Sequence, residues 1–598
     1  MDMSRRFGLA LVAGLWLAGC GPRTAGGPAE PRARVPAKAS RPIDTTSWVE
    51  RNLASLSLRD RVAQMVTVWS LGDYTSYQDS AFAEVLHWVD SLHVGGLTIS
   101  LGTPVEVAHK LDLLQRRSRL PLLVSSDLEP SLMRLETAVY PAYLLETGGA
   151  TQFPPAMAIA ATGRDEDAYD VARAIAREGR AVGVHVNFAP VVDVNNNPNN
   201  PVIGTRSFGE DPARVARLAA HFVRGTRDGG LLSTAKHFPG HGDTDVDSHV
   251  GLPVISATPA RLREVELLPF RAAIAAGADM VMSAHIALPA LGGDSATPAT
   301  LRPDVMSALL RDSLGFQGTA VTDALSMEGV GKGYTVAQSA VMSVLAGADI
   351  LLKPNDVPGA IDAVVAAVER GEVPPARIDS SVRRLLWLKA RAGLATSRSR
   401  SLDSVHAIVA SREHRALAQD VASRAITLIR DSGPLVPVAA SDRIALVVYS
   451  PESEVKAGRA LTRELARLRP GMRTAGRIGP GSAAPVLDSV ARAAGEQDVL
   501  VIAAFVRRVE GEGRATVPPH VAAWIDSIAS SRRAIVVAFG NPYVLRQFPK
   551  AQAYINAFGI GDALEIAAAR ALSGAQPVTG RSPVSLPGYF ARGDGLTR

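Results

Sequence analysis

Residues 275–283 read AAGADMVMS, and residues 345–352 read LAGADILL. In each stretch an alanine-rich segment ends at a glycine and an apolar run follows. Glycine commonly ends a helix because it adopts the left-handed conformation at little steric cost. A short apolar run after such a signal is typical of a strand buried on both faces. The two stretches therefore predict helix-to-strand junctions of an α/β fold with a parallel sheet.

Apolar or β-branched runs of this kind alternate with helical stretches over the first two thirds of the chain. They occur at residues 62–68, 95–99, 122–125, 184–192, 231–235, 280–283, 319–322 and 350–352. About eight strand–helix repeats in roughly 350 residues match the size and period of a (β/α)8 barrel of the TIM type. We predict this barrel over residues 45–395, although a doubly wound sheet also fits the pattern.

Polar side chains directly follow several of these runs. They are Asp127, Asp193, Lys236, His237, His285, Asp323 and Lys353. In a barrel the carboxyl ends of all strands open at one mouth, where active sites lie. These positions therefore favour the barrel over the open sheet and predict a functional site at its mouth.

A second alternating region follows a charged helical stretch at residues 411–424. Its apolar runs lie at residues 444–448, 499–504, 534–539 and 553–558. They predict a smaller α/β sandwich domain with a mainly parallel sheet over residues 411–598, after a linker at residues 396–410. The 598-residue length and the 47% apolar composition also indicate two soluble folded domains.

The first 19 residues resemble a lipoprotein signal peptide. Two arginines precede an apolar run at residues 7–17, which is too short to span a bilayer. The run ends in LAGC, and its last residue, Cys20, is the one cysteine of the chain. LAGC resembles the bacterial lipobox, which implies a lipid on Cys20; a plain cleaved signal is the alternative. Residues 20–44, rich in Pro, Ala, Gly and Arg, predict a flexible tether to a membrane of the bacterial cell envelope, on its periplasmic or extracellular side.

Residues 236–249 read KHFPGHGDTDVDSH, with three histidines and three aspartates. Such a cluster suggests a metal site or a proton-transfer site. His237 and His241 have the spacing of a helical zinc pair, but the proline and glycines around them disfavour a helix. A calcium loop over the aspartates would need glycine in place of Ser248 and glutamate in place of Val254. We therefore favour proton transfer and expect neither a metal nor a cofactor.

The same segment resembles the signature of glycoside hydrolase family 3 in its β-N-acetylglucosaminidase branch, K-H-F-P-G-H-G-D-T followed by D-S-H. The chain is similar to the two-domain lipoprotein form of that branch. The resemblance implies a retaining mechanism with His249 as acid/base, held by Asp247. A neighbouring carboxylate favours the protonated imidazole. Asp247 can thus keep His249 able to protonate a leaving oxygen and then to activate water.

Residues 321–329 read VTDALSMEG and resemble the nucleophile segment of the family, S/T-D-x-L-S-M. The resemblance implies that Asp323 is the nucleophile. A carboxylate just after a buried strand can attack an anomeric carbon and form a covalent glycosyl-enzyme. The alternative role for this aspartate is the N-cap of a following helix.

Further matches imply residues that hold the sugar. Residues 200–212 read NPVIGTRSFGEDP and resemble N-P-V-I-G-x-R-S-F-G-x-D-P of the family, which implies Arg206 as a sugar ligand. Lys236 and His237 are expected to bind ring hydroxyls. Asp127 begins D-L-E, which is similar to the D-x-E of the family. Carboxylate and lysine groups suit vicinal hydroxyls because both form charge-assisted hydrogen bonds.

The chain departs from the family pattern directly after Glu129. The family commonly continues with G-G-R-V and then an arginine, whereas residues 130–133 read PSLM before Arg134. Arg134 is a further candidate sugar ligand. A changed loop at this point would reshape the far end of the sugar site.

The resemblance covers nearly all of the chain beyond the tether. It implies removal of terminal β-linked N-acetylglucosamine from peptidoglycan fragments or chitin-like oligosaccharides. The alternatives are a β-glucosidase-like enzyme with Glu510 or Glu512 as acid/base, a phosphorylase, and a carbohydrate-binding lipoprotein without catalysis. We expect a monomer whose partners are a carbohydrate and, through the anchor, a membrane. The 64 basic and 58 acidic residues are scattered, which argues against nucleic acid as a partner.

Overall fold

The computed structural model describes residues 44–131, 149–292, 296–495, 497–508 and 515–598. Four residues named from the sequence, Cys20, Arg134, Glu510 and Glu512, lie outside the described residues, as do the predicted signal peptide and nearly all of the tether. In the described ranges, no helix combines the length and apolar character that a bilayer crossing requires.

Eight parallel strands form the first sheet. They are β1 (Val66–Leu71), β2 (Gly96–Ser100), β3 (Leu123–Ser126), β4 (Val186–Asn187), β5 (Leu232–Phe238), β6 (Met280–Ser283), β7 (Thr319–Val321) and β8 (Leu351–Leu352). The order in the sheet is β7-β6-β5-β4-β3-β2-β1-β8. A parallel bridge between Val321 and Ile350 joins its two ends. The predicted (β/α)8 barrel is therefore confirmed.

Helices surround the strands, and their apolar faces pack with the sheet mainly in two buried clusters. They are α1 (Thr45–Ala54), α2 (Leu58–Gln64), α3 (Ser80–Asp90), α4 (Pro104–Arg117), α5 (Ala156–Ala161), α6 (Glu166–Val182), α7 (Pro212–Asp228), α8 (Pro259–Glu264), α9 (Leu267–Ala275), α10 (Glu328–Gly331), α11 (Val336–Ala346), α12 (Val357–Glu369) and α13 (Pro375–Arg391). A π-helix spans Asp304–Ser313, and short 3-10 turns span Gly204–Arg206, Pro289–Leu291 and Ala299–Leu301.

The second sheet lies in the last third of the chain and is mainly parallel, as predicted. Its strands are β9 (Thr427–Asp431), β10 (Ile444–Tyr449), β11 (Arg473–Ile478), β12 (Val499–Val506), β13 (Ala534–Gly540) and β14 (Ala553–Asn556). Their order is β11-β10-β12-β13-β14-β9, with β9 antiparallel to β14. The helices of this part are α14 (Leu402–Ile408), α15 (Arg412–Ala425), α16 (Arg459–Leu468), α17 (Ala484–Ala494), α18 (Pro519–Ser531) and α19 (Asp562–Ser573), with a 3-10 turn at Pro542–Gln547.

The apolar runs predict which segments of the barrel form strands more accurately than they predict where those strands begin and end. Residues 62–68 begin as a helix because the Ser57 capping box starts α2, so the strand begins only at Val66. The run at residues 184–192 contains a strand of two residues. Pro190 has no N–H to donate to a ladder, and pairing resumes beyond it as a single bridge.

Two strands of the second sheet were not predicted. β11 reads RTAGRI and only one of its six residues is buried, because it lies at the edge of the sheet. An exposed edge strand has no need of an apolar run. β9 is the antiparallel strand at the other edge. The predicted linker at residues 396–410 also contains α14, whereas the domain boundaries themselves stay predictions.

The second sheet supports a long loop of the barrel. The Asn195 amide donates to the Tyr543 hydroxyl at 2.7 Å, and the Arg546 guanidinium donates to the Asn199 side chain at 2.9 Å. Both partners belong to the segment that follows β13. This loop continues to Arg206, so the second sheet helps to fix one wall of the barrel mouth.

A buried carboxylate ties the barrel to the segment that leads to the second sheet. Glu178 of α6 accepts hydrogen bonds from the Thr151 N–H at 3.1 Å and from the Thr151 hydroxyl at 2.6 Å. It also accepts from the Ala410 N–H at 3.0 Å and pairs with Nδ1 of His414 at 2.8 Å. All of these donors would lose their acceptor together if the carboxylate were removed.

We expect Glu178→Ala to lower the free energy of unfolding by roughly 2–4 kcal/mol, because it leaves buried donors and a buried histidine without a partner. Urea unfolding followed by circular dichroism measures the change. The matched control is Glu413→Ala, since the Glu413 side chain is 71% exposed and its loss should cost less than about 0.5 kcal/mol. Equal effects of the two substitutions would contradict the role given to Glu178.

Candidate active site

A cavity of about 400 Å³ opens where the barrel strands end. This volume falls in the range of small-molecule sites, about 300–1,000 Å³. The predicted site residues that line it are Asp127, Arg206, Lys236, His237, His249 and Asp323. Asp247 contacts His249 from behind. The structure thus brings together every predicted site residue that it describes.

Asp323 lies two residues after β7 and lines the cavity. Its N–H donates to the Ser283 carbonyl at 3.2 Å, and its Oδ1 accepts from the Ala324 N–H at 2.8 Å. Burial raises the pKa of Asp323, but His237, His285 and nearby groups outweigh burial and hold that pKa below its ordinary value. The carboxylate is therefore ionised at neutral pH, as a nucleophile must be.

His249 and Asp247 form a hydrogen-bonded pair. Nδ1 of His249 lies 2.7 Å from Oδ1 of Asp247, which also accepts the His249 backbone N–H at 2.9 Å. The Asp247 side chain is 2% exposed, whereas that of His249 is 24% exposed and lines the cavity. The carboxylate favours a proton on Nδ1, so Nε2 is the nitrogen suited to exchange a proton with a substrate.

Two cations of the site share a buried carboxylate. Glu129 accepts from Nε of Arg206 at 2.8 Å and from Nη2 at 3.2 Å, and lies 2.6 Å from Nζ of Lys236. Lys236 also donates to Oδ1 of Asp127 at 2.7 Å. Burial raises the pKa of Glu129, but Arg206 and Lys236 outweigh burial and lower that pKa to about 2. The four charges form one network that orients Asp127, Lys236 and Arg206 at the cavity.

The histidines near β5 have different partners. Nδ1 of His237 lies 2.7 Å from Oδ2 of Asp193, and the other Asp193 oxygen accepts the His241 N–H at 2.7 Å. The His241 ring is bonded to Thr244 at 2.8 Å and to Ser248 at 3.0 Å. Burial lowers the pKa of His241 to about 4, so its ring is neutral and holds the loop.

The spacing of His237 and His241 does not arise from a helix, because His237 belongs to strand β5. In the part of the chain that the structure describes, no group of three or more His, Cys, Asp or Glu residues is arranged to hold a metal ion.

The structure adds residues to the site that no motif had singled out for it. Nε2 of His285 donates to the Ala324 carbonyl at 3.0 Å and so holds the segment of Asp323. Trp69 of β1 and Lys353 after β8 line the cavity. For His285 and Lys353 the sequence signal was their place after a strand, whereas nothing in the sequence pointed to Trp69.

Arg508, which follows β12 of the second sheet, does not line the cavity but contacts the turn that leads to Arg206. A Cβ on Gly204 would lie 2.5 Å from Nε of Arg508, and Gly204 has a φ of +48°. Glycine is therefore needed at this place on two grounds, conformation and space. Burial lowers the pKa of Arg508 to about 10 against the opposing fields of Tyr543 and Asp247. The segment after β12 thus places a cation within the electrostatic influence of Asp247.

Residues 57–388 match the family model described as glycosyl hydrolase family 3 N terminal domain. The chain belongs to glycosyl hydrolase family 3. A β-N-acetylglucosaminidase/β-glucosidase of Cellulomonas fimi is 30% identical over 565 residues, which cover 90% of this family 3 chain and 96% of the relative. A β-hexosaminidase A of Pseudoalteromonas piscicida is 36% identical over 343 residues, which cover 54% of this chain and 55% of the relative.

A solved structure leads to the same branch of family 3. A glycoside hydrolase family 3 β-N-acetylglucosaminidase from Paenibacillus sp. str. FPU-7 superposes with a TM-score of 0.78 at 33% identity, covering 89% of this chain and 99% of that one. The resemblance to the β-N-acetylglucosaminidase branch, predicted from the sequence, is confirmed.

We expect Glu129→Gln to lower the free energy of unfolding at pH 7 by roughly 2–4 kcal/mol, because Arg206 and Lys236 lose a buried counter-ion. The folded pKa of Glu129, about 2, lies below the ordinary value of 4.5. Its contribution is therefore complete above the ordinary value and is lost as the pH falls toward the folded pKa. The difference in the free energy of unfolding between wild type and Glu129→Gln should shrink over the same pH interval.

Urea unfolding at a series of acidic pH values measures that gap. Glu413→Gln, on an exposed side chain, is the control and should show no gap at any pH. A gap for Glu129→Gln that stays constant down to the lowest pH would contradict the proposed charge network.

Proposed function

We propose that this protein is a retaining β-N-acetylhexosaminidase that removes terminal β-linked N-acetylglucosamine from peptidoglycan fragments or chitin-like oligosaccharides. The single observation that carries this proposal is that an ionised carboxylate, Asp323, and a carboxylate-held imidazole, His249, line one cavity at the barrel mouth. The names of the similar proteins from Cellulomonas fimi and Pseudoalteromonas piscicida support a hexosaminide as the substrate.

In the proposed reaction Asp323 attacks the anomeric carbon. A bond forms between the carboxylate and this carbon while the bond to the leaving oxygen breaks, and His249 gives its proton to that oxygen. Asp247 stabilises the imidazolium before the transfer and keeps the ring oriented afterwards. In the second step His249 takes a proton from water, the hydroxyl bonds to the anomeric carbon, and Asp323 departs as a carboxylate.

The buried charge network would hold the sugar for this reaction. Asp127 is 26% exposed, so its carboxylate can accept from sugar hydroxyls while it pairs with Lys236. Lys236 and Arg206 are fixed by Glu129 before any substrate arrives. Groups that are already in place lose little freedom on binding, which favours orientation of the anomeric carbon toward Asp323.

Phosphorolysis is a second candidate function, because a histidine acid/base is compatible with phosphate as the attacking group. A deprotonated histidine is neutral and does not repel a phosphate anion, whereas a deprotonated glutamate would. A phosphorylase would release a sugar 1-phosphate in phosphate buffer and nothing comparable without phosphate, so analysis of the products with and without phosphate separates the two reactions.

We expect Asp323→Ala to lower kcat/KM for an aryl β-N-acetylglucosaminide by at least about 10³-fold, since the covalent step is lost. His249→Ala should lose roughly 10²–10⁴-fold on a chitin disaccharide. It should lose much less in the first step with dinitrophenyl N-acetylglucosaminide, because dinitrophenolate departs without a proton. The control is Asp245→Asn, an exposed aspartate of the same segment, which should stay near wild type.

Other outcomes of these assays would favour the alternatives. Comparable turnover by Asp323→Ala would refute the assignment of the nucleophile. A larger loss in Glu512→Ala or Glu510→Ala than in His249→Ala, together with a preference for aryl β-glucosides, would favour the β-glucosidase-like enzyme. Sugar binding without release of any product would favour the non-catalytic lipoprotein.

We also propose that Cys20 carries a lipid that anchors the protein to a membrane of the cell envelope, on the basis of the LAGC motif. Cells fed labelled palmitate should incorporate the label into the wild-type protein and not into Cys20→Ala, because a thioether-linked lipid needs the sulfur. Asp323→Ala is the control and should be labelled like wild type. Equal labelling of Cys20→Ala, or an unlabelled wild type, would exclude the anchor.

A further inference from the structure

The cavity contains a positive charge that has no carboxylate partner among the described residues. Of the described residues, three lysine or arginine side chains line the cavity: Arg206, Lys236 and Lys353. The first two are paired with Glu129 or Asp127. Lys353 forms no ion pair with any residue of the described ranges. Of these three cations, the ammonium group of Lys353 is therefore the one that a ligand can still neutralise.

The backbone directs this lysine to the cavity at a conformational cost. Lys353 has a φ of +47°, in the left-handed region that residues other than glycine rarely adopt. Its N–H donates to the Thr67 carbonyl at 2.8 Å, and the preceding carbonyl, of Leu352, accepts from the Leu325 N–H at 2.8 Å. Such strain persists where surrounding bonds impose it, and it is common at binding sites.

Trp69 fixes the ammonium group in place. Nζ of Lys353 lies 4.6 Å from the centroid of the Trp69 ring. The ring is itself held, because its Nε1 donates to Oγ of Ser100 at 2.9 Å. An aromatic face attracts a cation without cancelling its charge. The wall formed by the ends of β8, β1 and β2 therefore presents an ordered positive charge to the ligand.

We propose that Lys353, backed by Trp69, is a specificity-determining residue that binds a carboxylate carried by the substrate. The inference rests on the proposed function and narrows its substrate class to acidic saccharides rather than neutral chitin-like ones. A partly buried cation pairs with an anion more strongly than with a neutral hydroxyl.

The position of Lys353 indicates which part of the substrate carries the carboxylate. Leu325, of the segment that follows Asp323, is bonded to Leu352, the neighbour of Lys353. The backbone of Lys353 thus lies beside the segment of Asp323, the proposed nucleophile. We therefore place the carboxylate on the leaving sugar, and a carboxylate on the terminal sugar is the other source of the same chemistry.

Matched substrates test the proposal in the full-length protein. One pair of disaccharides has terminal N-acetylglucosamine linked to N-acetylmuramic acid or to N-acetylglucosamine, which differ by the lactyl carboxylate. A second pair, aryl glycosides of N-acetylglucosaminuronic acid and of N-acetylglucosamine, places the carboxylate on the terminal sugar. Values of kcat/KM are measured for wild type, Lys353→Met, which keeps length without charge, and Lys353→Arg, which keeps charge.

We expect Lys353→Met to lower kcat/KM for the acidic disaccharide by about 10- to 100-fold, the range of a partly buried ion pair, and to change the neutral disaccharide less than about threefold. Lys353→Arg should recover most of the loss. Lys550→Met, on the exposed Lys550 of the second sheet region, should leave both values unchanged. A loss confined to the second pair would move the carboxylate to the terminal sugar and leave the lysine assignment intact.

Equal losses on acidic and neutral substrates, or no loss on either, would overturn the proposal. A wild type that releases no sugar from any substrate would overturn the proposed function alone. The subsite is then tested by calorimetry with free N-acetylmuramic acid and free N-acetylglucosamine. Tighter binding of the acid that disappears in Lys353→Met supports it, and equal affinities of wild type for the two sugars overturn it.

Discussion

Glu129 holds the charges of the barrel mouth together. It pairs with Arg206 through two hydrogen bonds and with Lys236 at 2.6 Å, in a place where water reaches little of it. A buried ion is costly without partners, so each member of this network depends on the others. The network joins the ends of β3 and β5 to the loop that ends at Arg206. One carboxylate thus orients side chains from three distant parts of the chain at the cavity.

The second sheet supports the candidate active site, although Asp323 and His249 themselves belong to the barrel. Tyr543 and Arg546 hold the loop before Arg206, and Arg508 packs against Gly204 of the same loop. The loop that ends at Arg206 is therefore held both by the charge network of Glu129 and by residues of the second domain. This arrangement gives a physical reason for the second domain in a chain whose proposed chemistry takes place elsewhere.

The sequence predicted what depends on local pattern. Buried parallel strands are apolar runs, so the barrel and most of the second sheet were found, whereas the polar edge strand β11 was not. Motifs predicted six of the residues that line the cavity, namely Asp127, Arg206, Lys236, His237, His249 and Asp323. Contacts between residues far apart in the chain were beyond local pattern. Glu129 and Arg206 are 77 residues apart, and Trp69 gave no signal at all. Cys20, Arg134, Glu510 and Glu512 lie outside the described residues, and their roles stay predictions.

The two edges of the second sheet are protected against pairing with a strand from another copy of this protein. Strand β11 carries Arg473 and Arg477, and its pairing with β10 is interrupted by an irregularity in register. At the opposite edge, Leu428 of β9 is bridged by Leu596, near the end of the chain. Charge, a bulge and a covering segment all disfavour the addition of a strand from another molecule. At high protein concentration this domain should therefore not aggregate by pairing of its sheet edges.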